Sequence, residues 1–274
     1  MKLPAAILSL ALAFTAEAAP PPSIVTRSEV MATAKRYHAH VWTPTEKNIL
    51  HGRDSNGIRV DTPDANFQPK KGSPGWWRPD VKNTGIPYQW GGFDTPESFD
   101  AGILEGRPAG DTYTAEKRRL LDAAASKRAV GIDCSGLVSR CWNLPRSYST
   151  RTITQFCDPV PDARDAQPGD IFNTKNAHAL LFVNWARPDR SRLLAFETGA
   201  PPVMKVLFNE MGTDWLLEKG YTVWRYRGIR DRREVRKLRQ KTAEPISKAS
   251  RTASTPRTTL APATRRSPAG SSIR

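Results

Sequence analysis

The sequence predicts an α+β domain in which a short helix with a cysteine at its N-terminus packs on an antiparallel sheet. Two observations carry that prediction. Over residues 134–142, Leu137, Val138, Cys141 and Trp142 fall on one face at helical spacing. Downstream, short apolar or alternating runs follow one another at 170–173, 179–185, 193–198, 203–208 and 221–226, separated by turn residues. A helix followed by a run of strands belongs to the segregated α+β architectures.

The elements follow in order. Lys2, the apolar run 5–14 and the small-x-small site Ala16-Glu17-Ala18 read as a signal peptide over residues 1–19, which predicts a secreted or periplasmic protein. Residues 20–84 are expected to pack on the domain that follows. Within them, 26–43 has helical spacing through Val30, Ala34 and Val41, with Ser28 as N-cap. The stretch 43–82 is rich in Gly, Pro, Asp and Asn but holds Phe67, Trp76 and Trp77, so it reads as irregular and packed. The domain proper spans 85–229. It opens on a glycine and aromatic turn at 85–92 and carries an insertion at 93–128, whose residues 114–125 are good helix formers. The tail, 230–274, starts with a charged helical stretch to about 241. It then turns to Ser, Thr, Pro, Ala and Arg, which cannot bury enough surface to offset ordering entropy and is expected to be disordered.

Charge follows the same division. The chain carries a formal +15, and residues 231–274 hold 12 Lys and Arg against three Asp and Glu. The folded part is therefore only mildly basic. The tail could touch an anionic wall polymer or lipid. It has no aromatic residue to stack on bases, so nucleic acid is not expected. Apart from the signal, no run is long and apolar enough for a transmembrane anchor.

The chemistry concentrates at Gly131-Ile132-Asp133-Cys134-Ser135-Gly136. A thiol where a helix begins meets unpaired backbone N–H groups and the positive end of the dipole, which favour thiolate. The Cys134 N–H could also stabilise an oxyanion. His178 opens the apolar run 179–183 after a short turn and could take the thiol proton. Glu197, at the end of the next run, could hold the second ring nitrogen. Of the three cysteines, Cys141 and Cys157 are left either as a disulfide or as two buried thiols. No zinc-type spacing and no cofactor motif is present.

Three blocks in order, Pro87-Tyr88-Gln89-Trp90-Gly91-Gly92, then Gly131 through Val138, then Pro168-Gly169-Asp170 leading to His178, resemble the signature of NlpC-type, papain-like cell-wall cysteine peptidases. The resemblance covers about half the chain, from 85 to 226. It implies a papain-like fold, with Cys134 as nucleophile, His178 as base and Tyr88 polarising the site. Glu197 falls where the family usually has His, Asn or Gln. Asp133 and Ser135 match substrate-amine contacts, and Trp90 of the first block is counted with them as substrate-binding. The implied activity is hydrolysis of amide bonds in peptidoglycan stem peptides through a thioester, with no metal or organic cofactor. Two alternatives stay open: an amidase or acyltransferase of the same scaffold on another substrate, and a non-catalytic cell-wall-binding protein. The long insertion, the long 185–193 loop and the Glu are departures from the family pattern.

Overall fold

The computed structural model describes residues 22–67, 75–199 and 203–237. The expected signal at 1–19 and the expected disordered tail beyond 237 lie outside the described residues. The chain divides into two units, 1–232 and 233–274. In the second, the described residues 233–237 are helical.

The first unit mixes helix and sheet. Its sheet has six strands: β1 (Cys157–Val160), β2 (Ile171–Thr174), β3 (His178–Trp185), β4 (Arg192–Thr198), β5 (Val206–Gly212) and β6 (Thr222–Tyr226). They lie in the order β5-β4-β3-β2-β6-β1, and every neighbouring pair is antiparallel. The expected α+β class with an antiparallel sheet therefore holds. One strand expectation is corrected, and one strand, β1, was not expected. The run at 203–208 forms its strand later, at Val206–Gly212, because Val206 is drawn into register with Thr198. Strand β1 lacks apolar alternation, carries Pro159 and sits at the sheet edge, where proline is tolerated.

Both faces of the sheet are covered, which explains why β3 reads as an almost continuous apolar run. On one face Ile171, Ala179, Leu181 and Phe196 join a core with Val30, Ala34 and Tyr37 of α1 (Arg27–Ala39) and Leu137, Val138 and Cys141 of the cysteine helix. On the other, Phe172, Leu180, Phe182, Leu193 and Ala195 pack with Leu216. At the end of the cysteine helix, Trp142 stacks on Tyr226 with ring centroids 4.7 Å apart, and its indole donates to the Gly169 carbonyl at 3.0 Å.

Helix α1 starts one residue after Thr26, not at Ser28. Thr26 and Glu29 form a reciprocal capping box, satisfying two end groups where Ser28 would satisfy one. Val41 falls outside the helix and is 54% exposed. Its backbone pairs with Thr84 instead, so tertiary pairing overrides the helical pattern.

The insertion leaves and re-enters the fold at one point. Phe93 bridges Ile132, the Asp94 N–H donates to the Gly131 carbonyl at 3.1 Å, and the Gly131 N–H donates to Asp94 Oδ2 at 2.9 Å. Between those ends lie α2 (Pro96–Leu104) and α3 (Ala115–Leu120). The helix-forming stretch 114–125 is not one helix: Leu121, with φ 54° and ψ −126°, ends α3, and a 3-10 turn continues over Leu121–Ala124. On the buried side of α3, Lys117 pairs with buried Asp111. Burial raises the Asp111 carboxyl to about 6 against the pull of Lys117.

Candidate active site

The floor of the site is the start of α4 (Cys134–Cys141). Asp133 caps it: its Oδ1 accepts the Gly136 N–H and the Ser135 hydroxyl, the latter at 2.9 Å. Such a cap contributes on the order of 1 kcal/mol. Burial pushes the Asp133 carboxyl up to about 6, opposed by hydrogen bonds from Gly136, Ser135 and Gly91. The glycine turn presses directly on this helix end. A Cβ at Gly136 would stand 2.1 Å from the Gly92 carbonyl oxygen, so no side chain fits there. Cys134 is the first helical residue, and its N–H has no carbonyl partner within the helix.

Strand register positions the other half. His178 opens β3, on the same face as Leu180 and Phe182. Leu181 pairs with Phe196, so one step back puts Leu180 opposite Glu197 and leaves His178 diagonal to Glu197 on the same face. The diagonal is short enough for a direct bond: His178 Nε2 lies 2.9 Å from Glu197 Oε2. The step repeats on β5. Leu207 pairs with Glu197, and Asn209, two residues on, donates its Nδ2–H to Glu197 Oε1. Three side chains on three neighbouring strands thus form one line, Asn209 to Glu197 to His178. With Nε2 held by Glu197, Nδ1 is the ring nitrogen left for the Cys134 thiol.

The electrostatics follow the geometry. Burial pulls the His178 pKa down, but the Cys134 charge and hydrogen bond, followed by Glu197, raise it to about 10. Burial pushes the Glu197 carboxyl up, yet the His178 bond and charge and the Asn209 bond hold it below the ordinary range. Tyr88 is buried, and desolvation with the charges of Asp133 and Cys134 raises its phenol far above the usual value, so it stays a neutral hydroxyl.

The sequence-predicted residues come together around two adjoining cavities. One, of about 320 Å³, is bordered by Tyr88, Trp90, Asp133, Cys134 and Ser135. The other, of about 330 Å³, is bordered by Tyr88, Trp90, Cys134, His178 and Glu197. Cys134 therefore lies at the waist of a two-armed cleft. The first arm is the more polar of the two, with Ser149, Thr150 and Arg151 on its wall. The second is apolar and aromatic, with Tyr113, Met211, Trp215 and Tyr221. Gly199 lets the second arm close on Tyr88: with φ 96°, it would place a Cβ 2.6 Å from that ring.

Sequence reasoning missed Asn209, because the expected strand stopped at 208, and it missed Arg118 and Tyr113 inside the insertion, where no motif marks them. Asp133 and Ser135 line the cleft, but their mutual bond serves the helix cap. The Trp90 indole N–H is spent on the Leu121 carbonyl at 3.1 Å. Cys141 and Cys157 are free and buried, which selects the reduced alternative. Among the described residues no group of three or more His, Cys, Asp or Glu is placed to hold a metal ion, and no helix is long and apolar enough to cross a membrane. Comparison of the chain with protein-family models, with curated proteins and with solved structures gave no match.

Proposed function

We propose that this chain is an exported, papain-like cysteine hydrolase of the NlpC type that cleaves amide bonds in peptidoglycan stem peptides. One observation carries the reading: a cysteine at a helix N-terminus shares a cleft with an imidazole whose far nitrogen is bound to a buried carboxylate. A nucleophile, its base and the group that orients the base are the three parts such chemistry needs.

In the proposed cycle the Cys134 thiolate attacks the amide carbonyl. Negative charge gathers on the carbonyl oxygen, where the Cys134 N–H can donate to it. As the tetrahedral intermediate collapses, the C–N bond breaks and His178 Nδ1 gives its proton to the departing amine. A water then loses a proton to His178 and attacks the thioester. The acid leaves, and thiolate and imidazolium are restored. Glu197 keeps its charge throughout and holds the ring tautomer. The neutral Tyr88 hydroxyl can donate into the same space. The leaving amine must lie within reach of His178, so it occupies the apolar arm, and the acyl group occupies the polar arm. Export rests on the N-terminal signal pattern.

The test is digestion of purified peptidoglycan by the mature protein and by Cys134→Ala, with products read by mass spectrometry. Peptide fragments from the wild type alone support the reading, and their masses name the bond. No fragments from either protein, from the polymer or from soluble stem peptides cut from it beforehand, overturns wall hydrolysis as the activity.

A further inference from the structure

The cleft is bridged at its waist. Arg118 of α3 donates from Nη1 to the Asn176 carbonyl at 2.8 Å, in the turn two residues before His178. Arg118 lines both arms, together with Cys134 and Ala177. A surface hydrogen bond thus ties the wall built by the insertion to the wall built by the β2–β3 turn, on the border that both arms share with Cys134, which is 8% exposed. The Arg118 guanidinium also lies over the Tyr113 ring, 5.6 Å from its centroid.

A second observation lies at the end of the same helix. Leu121 holds φ 54° and ψ −126°, a conformation that residues with a Cβ rarely adopt. Its carbonyl is pinned by the Trp90 indole, and both residues border the polar arm. Backbone strain of this kind persists where surrounding contacts impose it, and it concentrates at clamps and switch segments. Hydrolysis of an amide requires neither the bridge nor the strained residue.

We propose that residues 113–121 form a strap over Cys134, closed by Arg118, that selects substrates by chain topology. A short chain with a free end threads beneath it. A segment tethered at both ends, as in a cross-linked polymer, is shut out while the strap is closed. The arms, about 320 and 330 Å³, sit at the small end of the roughly 300–1,000 Å³ of ligand sites, so each takes only a short segment. The substrate class is thus a short or free-ended peptide, and the reaction that supplies it is a cleavage that first frees one end of the chain. This rests on the reading of Cys134 as the nucleophile.

The strap is tested at Cys134 without any substrate. N-ethylmaleimide and fluorescein maleimide share one reactive group and differ in bulk. Their rates at Cys134, assigned by peptide mapping, are compared in the wild type, Arg118→Ala and Arg118→Lys. Losing one solvent-exposed hydrogen bond is expected to speed the bulky reagent by about threefold in Arg118→Ala while the small reagent changes by less than about 1.5-fold. Arg118→Lys keeps a charged donor and is expected to behave as the wild type. Tyr113→Ala, at a partly exposed position, gives the same direction should Arg118→Ala not fold. An unchanged ratio of the two rates across these proteins overturns the strap alone. A Cys134 that resists even N-ethylmaleimide in every protein overturns the nucleophile, and the strap with it.

Discussion

The two ends of helix α4 carry the same side chain in opposite circumstances. Cys134 opens the helix, borders a cleft and faces an imidazole. Cys141 closes it, is 2% exposed in the core beneath the sheet, and has its thiol pushed up strongly by burial. Cys157 is a second buried thiol, also pushed up by burial, with its Sγ 3.6 Å from the Ile153 carbonyl. Two turns of helix thus separate a group placed for chemistry from one placed for packing. The difference comes from where the helix end falls relative to the cleft and from one histidine, since residue type and helix are shared.

The sharpest way to break this comparison is alkylation. Cys134 is expected to react at least about 10³-fold faster than Cys141 or Cys157 in the folded protein, since each unit by which burial raises a thiol pKa removes about tenfold of thiolate. Equal labelling of the three thiols without denaturant would sink the distinction. Next in size is the carboxylate behind the histidine. Glu197→Gln is expected to lower kcat/KM by about 10²-fold. It should also move the alkaline limb of the pH profile down, because Glu197 helps to raise His178. The sign carries over to stability. His178 rises from 6.5 to about 10, so the contribution of its ion pairs is fully present below about 6.5 and is lost as pH rises through about 10. Urea melts of the wild type and Glu197→Gln at pH 6 and pH 10.5 should therefore differ less at the higher pH.

A smaller effect is expected at the cap. The Asp133 carboxyl moves from 3.8 to about 6, so its ionised form is disfavoured in the fold. Asparagine keeps the cap without the charge. Asp133→Asn should match the wild type below about pH 3.8, gain on it between about 3.8 and 6, and hold an advantage of at most about 3 kcal/mol above that. A constant difference across the range would show that Asp133 is not desolvated. The smallest change is Cys141→Ala, expected to cost about 1 kcal/mol in unfolding free energy and to leave kcat/KM unchanged.

The helix and the strands of the sheet's middle were legible because their periodicity is strong and their residues are buried on one or both faces. Glu197 could be named from hairpin adjacency alone, since a diagonal pair on neighbouring strands needs only approximate register. Asn209 could not, because its role depends on the register of the next strand, and Val206 shifted that strand's start. Arg118 was hidden for a different reason. It acts through a backbone carbonyl 58 residues away, and a carbonyl leaves no mark in the sequence. Ser28 and Val41 were misread because a capping box and a two-residue strand pairing outweigh spacing.

The place where the insertion joins the fold has an engineering consequence. Its two ends are held together by a backbone bridge and by the Asp94–Gly131 bonds. What lies between is built into the fold: Phe99, Ile103, Ala109 and Val130 enter the main core, and the Asp111 and Ser126 carbonyls hold Trp90 and Gln89 beside the cleft. The exposed side chains of α3, Glu116, Arg118, Arg119 and Leu120, carry no such duty. A redesign of the roof therefore changes those side chains and keeps the backbone that bears them, altering what the cleft admits while sparing its floor.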